Sequence, residues 1–239
     1  MGRRQRLGVE VRHLAPLTLA ILIAAGYLAG SIPSGYWIVR VFKGADIRAV
    51  GSGNIGGTNV WRAYGRWYGL PVVLLDTAKG FAPALVATLV DSHLAGVLAG
   101  AAAMLGHWRP LFMGFKRGGK IVATTGGSFL GVAPVVGGIG AGVWILVFLA
   151  TRYASLASIV AGLTLPALAA AFGYPWPVIA FAGGAAAAIV VLHRANIRRL
   201  MAGTESRFVL RRSKNSFEKE PTGDPARSSG IQQTNTIVE

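Results

Sequence analysis

A helix that crosses a bilayer needs about 20 consecutive, mostly apolar residues, because the hydrocarbon core is about 30 Å thick and the helix rises 1.5 Å per residue. This chain offers seven such runs, over 14–38, 70–90, 92–106, 121–136, 138–151, 155–173 and 176–193. The third to fifth are short or interrupted by glycine. Composition agrees: 53% of the residues are hydrophobic and 14% charged, against roughly 25% charged in a soluble domain. The sequence therefore predicts an all-α, polytopic integral membrane protein of about seven transmembrane helices. Its 33 glycines suit helices that pack closely in lipid.

The formal net charge of +15 would suggest a nucleic-acid partner in a soluble protein. Here the basic residues lie between and after apolar runs with few aromatics among them, which excludes that reading in favour of a lipid bilayer and of phosphate. Seven crossings put the loop 43–68, the turn 107–120, the short turn near 152 and the segment from 194 on one side. That side carries eighteen of the 24 lysines and arginines, so the positive-inside rule makes it cytoplasmic. The expected location is the cell membrane, with the N-terminus outside and the C-terminus inside.

Three regions follow: a basic segment 1–13, a transmembrane domain 14–212, and a polar tail 213–239 with the composition of a disordered segment. Arg3, Arg4 and Arg6 ahead of an apolar core also resemble a secretory signal. The length of that core and the motif close behind it favour a retained first span.

The alternation that sets the topology also gathers the unusual polar segments on one face: GSGNIGGTNVWRAYG (51–65), GHWRPLFMGFKRGGKIVATTGG (106–127), RYASLAS (152–158) and HRANIRRLMAGTE (193–205). They offer glycine-freed amides, hydroxyls and many cations with few carboxylates, a mixture suited to phosphate. Two nucleotide motifs are mimicked here. Gly51 to Gly56 spells G-x-G-x-x-G, but no strand precedes it, and Asp76, about 20 residues on, lies inside an apolar run. Gly114 to Lys120 spells G-x-x-x-x-G-K, but Ile121 stands where a P-loop needs serine or threonine. The sequence has no cysteine, and no metal or cofactor is expected.

These segments resemble a known family, the bacterial membrane-integral glycerol-3-phosphate acyltransferases that use acyl phosphate as donor, the PlsY family. GSGNIGGTNVWRAYG is similar to its GSGNIGATN-x-x-R-x-x-G. GHWRPLF with RGGKIVAT is similar to its GH-x-x-P-x-F and KGGKGVAT, and HRANIRRLMAGTESRF to its HREN-x-x-R-L-x-x-G-x-E-x-x-F. The match covers about 27–208. It implies transfer of an acyl chain from acyl phosphate to the 1-hydroxyl of glycerol 3-phosphate, giving lysophosphatidate and phosphate in phospholipid biosynthesis. One departure is Ile121, where the family has glycine: a β-branched residue does not easily take positive φ.

An acyl phosphate is already an activated anhydride, so positioning and charge stabilisation matter more than a covalent nucleophile. One phosphate is expected at Ser52, Asn54, Thr58, Asn59 and Arg62 with the amides around Gly51, Gly53 and Gly56. Lys120 with the turn Gly118 to Gly119 is expected to clamp the other, and His107 to contact substrate. The resemblance adds Ser155 or Ser158, His193 and Asn196. Ser52, Lys120, His193 and Asn196 form the expected catalytic group, with His193 or a donor phosphate oxygen as base.

Asp76 and Lys79, three apart on one helix face, read as a structural ion pair. The other function classes compatible with the sequence are a transporter or channel, and a weakened relative that binds phospholipid precursors without turnover.

Overall fold

The computed structural model describes residues 16–208; the basic segment 1–13 and the tail 213–239 lie outside them. Every regular element among the described residues is helical. They are α1 (Pro16–Gly30), α2 (Ser34–Lys43), α3 (Gly57–Tyr64), α4 (Arg66–Val90), α5 (His93–Trp108), α6 (Val122–Val132), α7 (Pro134–Thr151), α8 (Ala154–Ala171), α9 (Trp176–Leu192) and α10 (Arg194–Met201). Short 3-10 turns at Ile47–Ala49 and Leu111–Met113 complete the described chain.

Each of the seven apolar runs contains a helix, with shifted boundaries. The first divides at Pro33, which lacks a backbone N–H and starts α2. The run 121–136 stops at Val132 because Pro134, tolerated only at a helix start, opens α7. The loop expected over 43–68 is partly helical: α3 was masked by its glycines, yet it buries Asn59 and Val60. Gly65 ends it with φ 89°.

The stretch Pro16–Lys43, α4, α7 and α8 are long and apolar enough to cross a bilayer, and the pair α9–α10, bent by 60°, makes a fifth candidate. α5 and α6 span 16 and 11 residues, short of the roughly 20 a crossing needs.

α4 packs against α1, α3, α5 and α6, while α7, α8 and α9 form a second layer joined through α6·α7 and α5·α9. Burial is inverted relative to a soluble protein. Leu17, Leu74, Leu89, Leu146 and Trp176 are widely exposed, as a hydrocarbon solvent permits. The interior holds small and polar side chains, including Ser31, Asp76, Lys79, His107, Thr124 and Ser128.

Close approach of backbones makes this interior. Gly26 and Gly30 face Ala99 and Ala103 of α5; a Cβ added at Gly30 would lie 2.1 Å from the Ala103 carbonyl oxygen. Such small-residue stripes let dispersion act where lipid removes the hydrophobic drive. Gly30→Val should therefore lower stability by about 1–3 kcal/mol or more through overpacking. Gly183→Val, where a Cβ meets nothing within 4 Å, should leave it nearly unchanged. Thermal midpoints in detergent distinguish the two.

Candidate functional site

The loop before α3 is built by its own asparagines. Gly51 and Gly53 adopt positive φ, 59° and 67°, which turns the chain sharply. Asn59 reaches back from α3: its amide nitrogen donates to the Val50 and Asn54 carbonyls at 3.0 and 2.8 Å, and its oxygen accepts the Ser52 N–H at 3.0 Å. Asn54 accepts the Gly56 N–H at 2.8 Å and donates to the Gly118 carbonyl at 3.4 Å. Both asparagines, expected to hold phosphate, make bonds that hold the loop. Asn54 also ties the first glycine segment to the second. Ser52 is exposed at the turn and Thr58 half-buried at the start of α3. The Arg62 guanidinium donates to the Ser206 carbonyl at 2.9 Å, packs over the Phe208 ring, and keeps a buried Nε without a partner among the described residues.

The second loop returns over the end of α5. Gly118 and Gly119 donate their N–H groups to the carbonyls of Trp108 and His107, each at 2.9 Å. Those amides, expected to cradle phosphate, are already committed. What the turn supplies is Lys120, held at its exit. Ile121 does take positive φ, 61°, at the N-cap of α6. Its buried side chain joins the core formed with Met104 and Phe129, and that packing holds a backbone conformation the residue type resists. His107 is buried beneath Gly119 rather than displayed to a ligand: a Cβ on Gly119 would lie 1.8 Å from its Nε2.

A buried carboxylate that the sequence reading left out of the site draws the remaining groups together. Lys120 Nζ donates to Asn196 Oδ1 at 2.5 Å, and Asn196 Nδ2 donates to Glu205 Oε1 at 2.7 Å. Ser155 donates to the same Oε1 at 2.7 Å, and Arg199 Nε to Oε2 at 2.7 Å. Glu205 lies within a quoted motif, and the signal available was its solitude: an acid in a cationic segment. Burial pushes its carboxyl up, but hydrogen bonds from Asn196, Ser155 and Arg199 outweigh this and hold it below the usual range. Burial, then the nearby Arg199, Arg117 and Arg62 charges, push Lys120 down to about 8, against the opposing pull of Glu205.

His193 sits at the bend between α9 and α10, buried. Its Nδ1 lies 2.8 Å from the Ile189 carbonyl oxygen. A carbonyl only accepts, so Nδ1 carries the hydrogen and Nε2 keeps its lone pair. Ser158, expected at the site, instead donates to the Ala154 carbonyl and accepts from Trp144 Nε1 within the bundle.

Asn54, Lys120 and His193 thus belong to one continuous assembly: Asn54 bonds Gly118, Lys120 bonds Asn196, and His193 precedes Asn196 by three residues. Arg62, Lys120 and Arg199 surround one carboxylate, which leaves the assembly cationic.

The glycerol-3-phosphate acyltransferase family profile matches residues 20–203. A glycerol-3-phosphate acyltransferase of Desulforudis audaxviator (strain MP104C) is 45% identical over 199 residues, 83% of this chain and 100% of that protein. One of Geobacter sulfurreducens is 46% identical over 193 residues, 79% of this chain and 96% of the relative. Among solved structures, the glycerol 3-phosphate form of PlsY (YgiH), an integral membrane glycerol 3-phosphate acyltransferase, superposes with a TM-score of 0.77. The two are 43% identical, covering 80% of this chain and 96% of that one. Its lysophosphatidic acid form gives 0.75 at 42% identity, covering 81% and 96%. With a family profile over most of its length and close relatives covered nearly end to end, the chain is a multi-pass membrane protein that belongs to the glycerol-3-phosphate acyltransferase family.

Proposed function

We propose that this protein transfers an acyl chain from acyl phosphate to the 1-hydroxyl of glycerol 3-phosphate, releasing lysophosphatidate and inorganic phosphate. The observation that carries the reading is the chain of contacts from Lys120 through Asn196 to Glu205 and Ser155. It unites three sequence-distant segments into one cationic cluster, and a small doubly charged anion is the ligand such a cluster suits.

Both substrates bear phosphate. Lys120 holds one of them, with Arg62 Nε as a second, unspent donor. Asn196, fixed in orientation because its amide nitrogen faces an acceptor and its oxygen a cation, sets where the ammonium points. The glycerol hydroxyl oxygen attacks the acyl carbonyl carbon, the bond from that carbon to the oxygen bridging it to phosphorus breaks, and phosphate leaves with that oxygen and the electron pair. His193 Nε2 takes the hydroxyl proton. Ser52, exposed on its turn, donates to a phosphate oxygen. No covalent acyl-enzyme is needed, since the donor is already activated.

We also place this assembly at the cytoplasmic face, counting the short α5 and α6 among seven crossings, with the N-terminus outside and the C-terminus inside. The basic segments that support this orientation are those that meet in the assembly, and the bend at His193 suits a helix that leaves the hydrocarbon there.

Three outcomes are expected. Lys120→Ala and Ser52→Ala should reduce phosphate release from acyl phosphate by ~100-fold or more, as for removal of a transition-state donor, while Ser158→Ala retains activity. Lys120 protonation gives a pH test: it binds phosphate as a cation and titrates near 8 in the free enzyme. Hence kcat/KM should fall as pH rises through about 8, because that ratio reports the free enzyme. Lys120→Arg should lose this alkaline limb. Because the sequence has no cysteine, Ser52→Cys and Lys116→Cys can each be probed in sealed cells. An impermeant maleimide should label them only after the membrane is opened; labelling of intact cells would reverse the orientation.

A further inference from the structure

We infer that Asp76, Lys79 and His107 form a buried prop that positions the Lys120 turn, and are thus positioning residues for the reaction proposed above, on which this inference rests. Asp76 and Lys79 lie on α4 and His107 on α5, all three buried in the bundle. Charged groups at such depth are costly in hydrocarbon and are kept where they serve a site. Lys79 Nζ sits 2.7 Å from Asp76 Oδ1 and donates to the Ile32 carbonyl at 3.0 Å, at the break between α1 and α2. The pair is therefore anchored to the break between α1 and α2 as well as to α4.

Its outward end is Asp76 Oδ1, which lies 3.8 Å from His107 Nδ1. Nδ1 has no hydrogen-bond partner among the described residues, and 3.8 Å is longer than a hydrogen bond, so the carboxylate acts on the ring by close electrostatic contact rather than through a bond. That ring is in turn the floor of the turn. Gly119 lies so close over it that even a methyl group would overlap the imidazole, and the Gly119 N–H is bonded to the His107 carbonyl. Rotation of the ring would displace Gly119, and with it Lys120 one residue on.

A bare ion pair would only need to neutralise itself, and replacing both partners by apolar groups is then neutral or stabilising. A prop requires more: the carboxylate must remain opposite the histidine. This separates a positioning role from a purely structural one.

The test uses the full chain in detergent, with released phosphate as the readout and both substrates varied. Asp76→Asn and His107→Asn should each raise KM for the substrate that Lys120→Arg also affects by ~10-fold, leaving the other KM within about twofold. The double variant should be no worse than either single, as coupled residues in one path behave. The charge-neutral variant Asp76→Asn with Lys79→Met should regain the wild-type thermal midpoint but not the wild-type KM, and it carries the test if the single variants do not accumulate. Recovery of both quantities, or multiplicative effects in the Asp76→Asn/His107→Asn variant, would overturn the prop while leaving the acyltransferase reading intact. A wild-type enzyme that releases no phosphate would overturn both.

Discussion

One buried carboxylate, Glu205, holds the candidate site in register. It accepts from Ser155 at the start of α8, from Asn196 on α10 and from Arg199 one turn further on, and through Asn196 it orients Lys120 from the second glycine loop. A carboxylate accepts only and an ammonium donates only, so the amide between them has a single sensible orientation. Without the negative charge, three cations of intermediate burial would face one another, the Arg199 side chain 43% exposed, with water screening only part of their repulsion. The anion offsets part of this charge, and the surplus positive charge is the basis of the phosphate binding proposed above.

The fold delivers these groups because the membrane reverses the usual logic of burial. Small residues line helix contacts, so backbones approach closely enough for short polar side chains to meet between them. Helices that stop early, such as the 11-residue α6, bring loop ends down into the bundle, where Lys120 is half-buried and its charge is felt. The same compactness makes His107 the floor of a turn rather than a ligand. Helix packing, loop geometry and electrostatics are therefore one design, and a defect in the α4–α5 interior reaches Lys120 through Gly119.

Much of this was legible in the sequence. Seven apolar runs announce a polytopic helical protein because hydrocarbon leaves the backbone no alternative, and three motifs name the segments that meet. Less legible was the division of labour inside the motifs. Asn54 and Asn59 have the chemistry of phosphate ligands, and only their distance to neighbouring carbonyls shows that they also brace the loop. Gly118 and Gly119 likewise spend their amides on α5. α3 is hard to read from sequence because the glycine and threonine at its start favour a loop. Ile121 was expected to resist positive φ, and the side-chain burial that overcomes this resistance is a tertiary fact invisible to local propensity. Glu205 could have been singled out as the lone acid in a basic motif, but its partners come from α8 and α10.

The central claim, that Glu205 organises the cations rather than merely diluting their charge, is tested most directly by calorimetric titration of glycerol 3-phosphate into wild-type protein and Glu205→Gln. Simple charge removal would tighten the binding of an anion. If Glu205 instead holds Asn196, Lys120 and Arg199 in place, Glu205→Gln should bind ~10-fold more weakly, as expected when a buried hydrogen-bonded charge network loses its central member. Unchanged or tighter binding by Glu205→Gln would contradict the account.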